Sequence, residues 1–251
     1  MKVMHSLTVT AAAVALLAFS VPVHAGKMDN RIESSAKQSY VFRTYLKNDD
    51  VKVQSKDGAV TLTGSVLEES HKSLAQDTVA SLPDVKSVDN KLEIKGEVPA
   101  KSSDAWLITK VKSTLLYHRS VSATKTEVDV KAGIVTLRGV AANLAQKELT
   151  TEYAKDVEGV KDVINEMTVS NAAKKKQTVG EKIDDASITA QVKMTLLNHH
   201  STSALDTKVE TKRGVVTLSG KANNIAEFNL ATKLANDVTG VKSVTNRMSV
   251  E

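Results

Sequence analysis

The chain has 251 residues and no cysteine, with 41% hydrophobic, 3% aromatic and 25% charged residues and a formal charge of +5. That composition excludes a disulfide framework, a cysteine-ligated metal centre and a thiol nucleophile. It describes a soluble globular chain, neither disordered nor a membrane channel, long enough for two or three small cores.

The first element in chain order is an address. Lys2 precedes an apolar run over residues 7–19, followed by Pro22 and the small-residue end Val23-His24-Ala25. Residues 1–25 thus have the form of a secretory signal peptide cut after Ala25. The competing reading is an uncleaved anchor, but the run is shorter than the roughly 20 residues a spanning helix needs. Without Lys2 the mature chain keeps 33 basic against 29 acidic side chains, a mild bias toward anionic surfaces.

One unit is then written three times. Asp57-Gly58-Ala59-Val60-Thr61-Leu62-Thr63-Gly64 recurs as Ala132-Gly133-Ile134-Val135-Thr136-Leu137-Arg138-Gly139 and as Arg213-Gly214-Val215-Val216-Thr217-Leu218-Ser219-Gly220. From Gly64 to Asn90, Gly139 to Asn165 and Gly220 to Asn246 the distance is 26 positions each time. A register kept three times marks a structural repeat.

Within a unit, Leu107, Val111, Leu115 and Leu116, or Ile188, Val192, Leu196 and Leu197, fall at helical spacing behind Ser103-Asp104 and Asp184-Asp185, whose side chains can cap the first turn. Two alternating runs with a glycine between them predict a β-hairpin. Gly58, Gly133 and Gly214 should take positive φ at its turn, and Gly64, Gly139 and Gly220 should end its second strand. A second helix follows, with Leu149, Tyr153, Ala154 and Val157 on one face, and then a strand alternating as Val163, Asn165, Met167 and Val169.

The fold class is therefore α+β: three αββαβ domains, each a small mixed three-stranded sheet with two helices on one face. Their bounds are 31–95, 102–170 and 183–251. The first unit reads as shortened, because Leu46 lies 12 positions before Gly58 whereas Leu116 and Leu197 lie 17 before Gly133 and Gly214, so that its opening helix, with Val41, Tyr45 and Leu46, runs almost directly into the strand. The linker over residues 171–182 is long and polar enough to let the third unit move.

The search for chemistry returns no catalytic site, cofactor motif or metal site: there is no Gly-x-Ser-x-Gly, no Gly-x-Gly-x-x-Gly and no P-loop. His199-His200 lack a His-x3-His partner, and His118, which matches His199 between repeats, points to a shared end-of-helix role. Asn90, Asn165 and Asn246 share a strand face with Val88, Val163 and Val244, so each is a ligand contact or a side chain that fastens the last strand to neighbouring backbone. Trp106, the only tryptophan, lies near Lys101, Lys110 and Lys112, and tryptophan beside lysine suits a lipid headgroup boundary. It suits equally a tryptophan half-buried between units. Lys174, Lys175 and Lys176 are either a further weak anionic-lipid contact or a solvated linker. Nucleic acid is disfavoured by the export signal, the few aromatic rings and the absence of any Gly-x-x-Gly.

The Gly-x-Val-Thr-Leu-x-Gly strand and the Gly-Val-Lys-x-Val-x-Asn ending resemble the BON domain, a module named from bacterial osmotically inducible periplasmic and nodulation proteins. With the flanking helices the resemblance covers nearly all of residues 31–251. The plan is close to the osmotically inducible protein Y group, whose members typically carry two such domains where this chain has three. The resemblance implies a periplasmic, non-enzymatic protein associated with phospholipid or envelope binding and tolerance of osmotic stress, and together with the mild basic excess it leads to the expectation of binding to anionic phospholipid at the membrane surface. The alternative is a protein-interaction module or holdase for envelope proteins.

Overall fold

The computed structural model describes residues 23–96, 99–170, 182–202 and 206–251. The apolar run of the expected signal lies outside the described residues, as do Lys174, Lys175 and Lys176. Among the described residues no helix is long and apolar enough to cross a membrane.

Domain 1 comprises α1 (Val23–Gln38), α2 (Tyr40–Thr44), β1 (Asp50–Lys56), β2 (Ala59–Val66), α3 (Glu69–Ala80) and β3 (Ser87–Ile94). Domain 2 comprises α4 (Asp104–Leu116), β4 (Thr126–Lys131), β5 (Ile134–Ala141), α5 (Leu144–Lys155), β6 (Asp162–Asn165) and β7 (Thr168–Val169). Domain 3 repeats it with α6 (Asp185–Asn198), β8 (Thr207–Lys212), β9 (Val215–Ala222), α7 (Ile225–Asp237), β10 (Ser243–Asn246) and β11 (Ser249–Val250). In each sheet the second strand is central, antiparallel to the first and parallel to the last. The parallel pairing follows from the helix that crosses between them. The inner face of β5, with Val135, Leu137 and Ala141, packs on Leu107, Val111 and Leu115 of α4, and the other domains repeat this core.

The structure corrects three sequence expectations. First, domain 1 opens with α1, which precedes the apolar cluster at Val41 and buries Ile32 and Ala36. Asp29 on α1 stands 29 positions before Gly58, as Asp104 does before Gly133 and Asp185 before Gly214, so the unit is not shortened. The residues around Val41 form only the short α2, started at Ser39, whose hydroxyl accepts the Phe42 N–H. Second, Gly64, Gly139 and Gly220 lie inside their strands. At Gly139, φ is 121° and a Cβ would lie 2.0 Å from the Lys125 carbonyl oxygen. Glycine is there because the backbone of the turn leading into β4 occupies the side-chain position. Third, the last strand of domains 2 and 3 breaks into two segments, and Val169 is exposed.

Asp29 midway along α1, and Asp104 and Asp185 as the first residues of α4 and α6, hold the hairpin turns. Asp104 accepts the Ala132 and Gly133 N–H groups at 2.8 and 3.0 Å, and Asp29 and Asp185 do the same to Asp57-Gly58 and Arg213-Gly214. Both turn residues have positive φ, 54° at Ala132 and 84° at Gly133, as a type I′ turn requires. The carboxylate thus helps hold a non-glycine residue in a left-handed conformation that costs about 1–2 kcal/mol.

The domains dock through α6. Only Asp185, Lys193 and Leu197 of this helix escape burial. Ile188, Val192 and Leu196 belong to the core of domain 3, while Ala186, Ala190 and Met194 join that of domain 1, where Tyr117 at the end of α4 also packs. Tyr40 N–H donates to Asp184 and Val41 N–H to Ser187 Oγ, at 2.7 and 3.1 Å, and Lys193 pairs with Asp77 at 3.2 Å. The third unit is therefore held against the first, not loosely strung from its linker.

Denaturation followed by Trp106 fluorescence should find Gly139→Ala destabilised by about 3 kcal/mol, since the strand must move off Lys125. Asp104→Ala should cost about 2 kcal/mol, the scale of lost charge-assisted hydrogen bonds. Ala132→Gly should stabilise by about 0.5–1 kcal/mol, because glycine pays no left-handed penalty but orders a more flexible unfolded residue.

Candidate functional site

α4 starts at Ser103, whose hydroxyl accepts the Trp106 N–H at 3.2 Å and fixes the phase of the helix. With Leu107, Val111 and Leu115 turned into domain 2, Trp106, partly buried against the edge of that core, and Lys110 stand one helical turn apart. Lys110 Nζ lies 5.6 Å from the centre of the Trp106 ring, within cation–π range, and donates to Asn198 Oδ1 at 3.4 Å.

This pair forms a ridge between two hollows. On one side, a groove of about 510 Å³ between domains 1 and 2 is walled by Trp106 and Lys110, by Leu67, Glu68, Glu69 and His71 around the start of α3, and by Ile94 and Pro99. On the other, a hollow of about 380 Å³ is bordered by Lys101, Glu158, Leu197 and His200. Leu67 and Leu197 are about half exposed.

The electrostatics are mixed. Burial pulls the Lys110 ammonium below the ordinary lysine range, opposed by Glu68, Glu69 and Glu158 and reinforced by Lys101. Lys101 is exposed and 4.0 Å from Glu158. His71 bridges two carboxylates, Nδ1 to Asp49 at 2.7 Å and Nε2 to Glu68 at 3.3 Å, so its outer nitrogen addresses an acid and not a nucleophile. The neighbouring Ser70 hydroxyl is buried and has no partner among the described residues.

Of the lysines grouped with Trp106 by sequence, Lys101 and Lys110 border the same hollow, and Lys112 is exposed on another side of α4. Asn165 donates to Lys147 O at 2.9 Å and Thr151 Oγ1 at 2.7 Å and accepts the Met167 N–H at 2.9 Å. Asn90 and Asn246 make the same three contacts, to Lys72, Gln76 and Leu92 and to Phe228, Thr232 and Met248. Each amide therefore ties the last strand to the second helix.

Sequence reasoning missed the walls contributed by Leu67, Ile94 and Pro99, which come from domain 1 and its linker, and the meeting of His118 with His199, 81 residues apart. An apolar Leu67 just before a helix start was the one available signal.

Comparison with known proteins agrees with this architecture. The BON domain model matches residues 28–96, 103–171 and 184–251, so the chain belongs to the BON domain family. Osmotically-inducible protein Y of Escherichia coli (strain K12) is 34% identical over 148 residues, 59% of this chain and 73% of that protein. Outer membrane lipoprotein DolP of Haemophilus influenzae is 31% identical over 146 residues, 54% of this chain and 73% of that protein. CdsD, a structural protein of the type III secretion system of Chlamydia trachomatis, covers 88% of this chain and 91% of its own at 18% identity and a TM-score of 0.25, a likeness too loose to bear on fold or function.

Because burial favours the uncharged amine, Lys110 should titrate below the ordinary lysine value in NMR of reductively methylated protein. Glu68→Gln with Glu69→Gln should lower it further, since those carboxylates favour the charged form.

Proposed function

We propose that this three-domain member of the BON family is a non-enzymatic periplasmic protein that holds to anionic phospholipid at the envelope surface and supports tolerance of osmotic stress. The observation that carries the reading is Trp106 with Lys110 against its ring and Lys101 across the adjoining hollow, beside the exposed Leu67 and Leu197. An aromatic ring flanked by lysines and half-exposed leucines matches the boundary between headgroups and acyl chains, where the ring is partly buried and the ammonium groups meet phosphate. The relatives' names, an osmotically inducible protein and an outer membrane lipoprotein, support an envelope setting.

The magnitudes keep the attachment weak. Each lysine contributes about 1 kcal/mol near an anionic surface, and Glu68, Glu69 and Glu158 lie close by. Binding is thus peripheral, reversible and sensitive to salt.

A second reading, a protein-interaction module or holdase, is favoured by the outer sheet face of domain 2. There Ile134, Val140 and Ile164 are 38%, 44% and 48% exposed, more apolar surface than an idle sheet face needs.

Liposome flotation decides between them. Vesicles containing phosphatidylglycerol should retain the protein at low salt and release it at high salt, and neutral vesicles should not retain it. Trp106→Ala, or Lys101→Glu with Lys110→Glu, should weaken retention about tenfold or more. No retention at low salt, together with recurrent protein partners on crosslinking in cells, would establish the second reading instead.

A further inference from the structure

Domains 2 and 3 meet across a local two-fold arrangement that the repeat builds from equivalent residues. Arg119 N–H donates to Asp237 O at 2.9 Å, and its counterpart His200 N–H donates to Asp156 O at 2.8 Å. His118 Nδ1 faces Asp237 at 3.1 Å and His199 Nδ1 faces Asp156 at 2.7 Å. The hydroxyls of Ser120 and Ser201 donate to the same two carboxylates. On the axis, His118 Nε2 and His199 Nε2 lie 3.0 Å apart, in residues 3% and 2% exposed. Tyr153 breaks the symmetry: it stacks on His118 at 3.9 Å and donates to Asp237 at 2.9 Å, where domain 3 has Leu234.

Hydrogen counting restricts what this pair can be. A carboxylate only accepts, so both Nδ1 atoms carry hydrogen. Between the Nε2 atoms, one proton makes a hydrogen bond. No proton leaves two lone pairs opposed, and two protons leave two N–H groups pointing at each other. Among the described residues no third His, Cys, Asp or Glu completes a metal site with them. The proton positions follow from the network.

We propose that His118 and His199 share a single proton that clasps domain 2 to domain 3, so that the joint is tightest near the ordinary histidine range of pH and loosens on both sides of it.

The groups facing the pair fit this state. Although burial raises both carboxyls, hydrogen bonds from His199 and Ser201 hold Asp156 below the ordinary range, and those from His118, Ser120 and Tyr153 do so for Asp237, so both stay ionised through the histidine range. Burial lowers the His118 pKa, which favours the neutral, accepting form of its ring. Arg119, 3.8 Å from Asp237, adds positive charge on one side. Lys101, Lys110, Glu158 and His200 border the hollow next to His199.

The sign follows from linkage. Two separated histidines titrate near pH ~6.5, whereas the docked pair holds one Nε2 proton. Well above that pH docking must take up a proton, so it weakens as pH rises. Well below it docking must release one, so it weakens as pH falls.

The test uses the full chain labelled with ¹⁵N at histidine. At pH near 6.5, ring-nitrogen spectra should show one doubly protonated ring and one neutral ring protonated at Nδ1. Protection of the Arg119 and His200 amides against hydrogen exchange, corrected for intrinsic rates, should peak there and fall up to tenfold per pH unit on either side. In His118→Gln with His199→Gln two amides can pair without a proton, so the peak should flatten. Two neutral rings at pH 6.5, or protection that stays level from pH 5 to 8, would overturn the proposal in the unmodified protein whether or not the variant folds. A double variant that keeps the wild-type peak would do so as well.

Discussion

The architecture depends on one helix that buries nearly its whole circumference. A surface helix presents one apolar stripe and leaves the rest to water, but α6 supplies Ile188, Val192 and Leu196 to its own domain and Ala186, Ala190 and Met194 to domain 1. Small residues at Ala186, Ser187 and Ala190 let the neighbouring backbone approach, so that Val41 N–H can reach Ser187 Oγ. Because α6 also meets Tyr117 at the end of α4, it fixes domain 1 beside domain 2. The groove at Trp106 is a consequence of that placement.

The repeat solves the same local problems three times and different global ones. In every copy an aspartate at the opening helix holds the type I′ turn, a glycine admits the neighbouring backbone, and an asparagine ties the last strand to the second helix. These devices act within one domain and survive duplication unchanged. The contacts between domains differ: domain 1 meets α6 through apolar side chains, hydrogen bonds to Asp184, Ser187 and Gln191 and the Lys193–Asp77 ion pair, whereas domains 2 and 3 meet through His118, His199 and two aspartates. Only the second of these joints is closed by histidines, whose ordinary titration range lies near neutral pH.

At the candidate site, opposed charges moderate what the lysines can do. Lys110 is drawn toward neutrality by burial while three glutamates and an aromatic ring favour its charge. In the proposed attachment a lipid phosphate would compete with carboxylates already in place, so the contact would form and release readily. The exposed isoleucines and valine on the sheet of domain 2 lie on a different face, and lipid and protein contacts need not exclude each other.

The sequence by itself determined the number of domains, the order of elements, the hairpin glycines and the strand face of Asn90, Asn165 and Asn246, because each is encoded by residues within one unit at fixed spacing. It misled at the start of domain 1, where the apolar cluster at Val41 outweighed the sparse Ile32 and Ala36 in a polar stretch, and at Gly139, where the reason for glycine is a carbonyl of the turn that leads into the neighbouring strand. Tertiary structure alone decided the burial of α6, the walls of the groove and the meeting of His118 with His199. Their partners come from other domains, as far as 146 positions away in the contact of Val41 with Ser187, and a periodic pattern records that a residue is apolar without recording which surface will cover it.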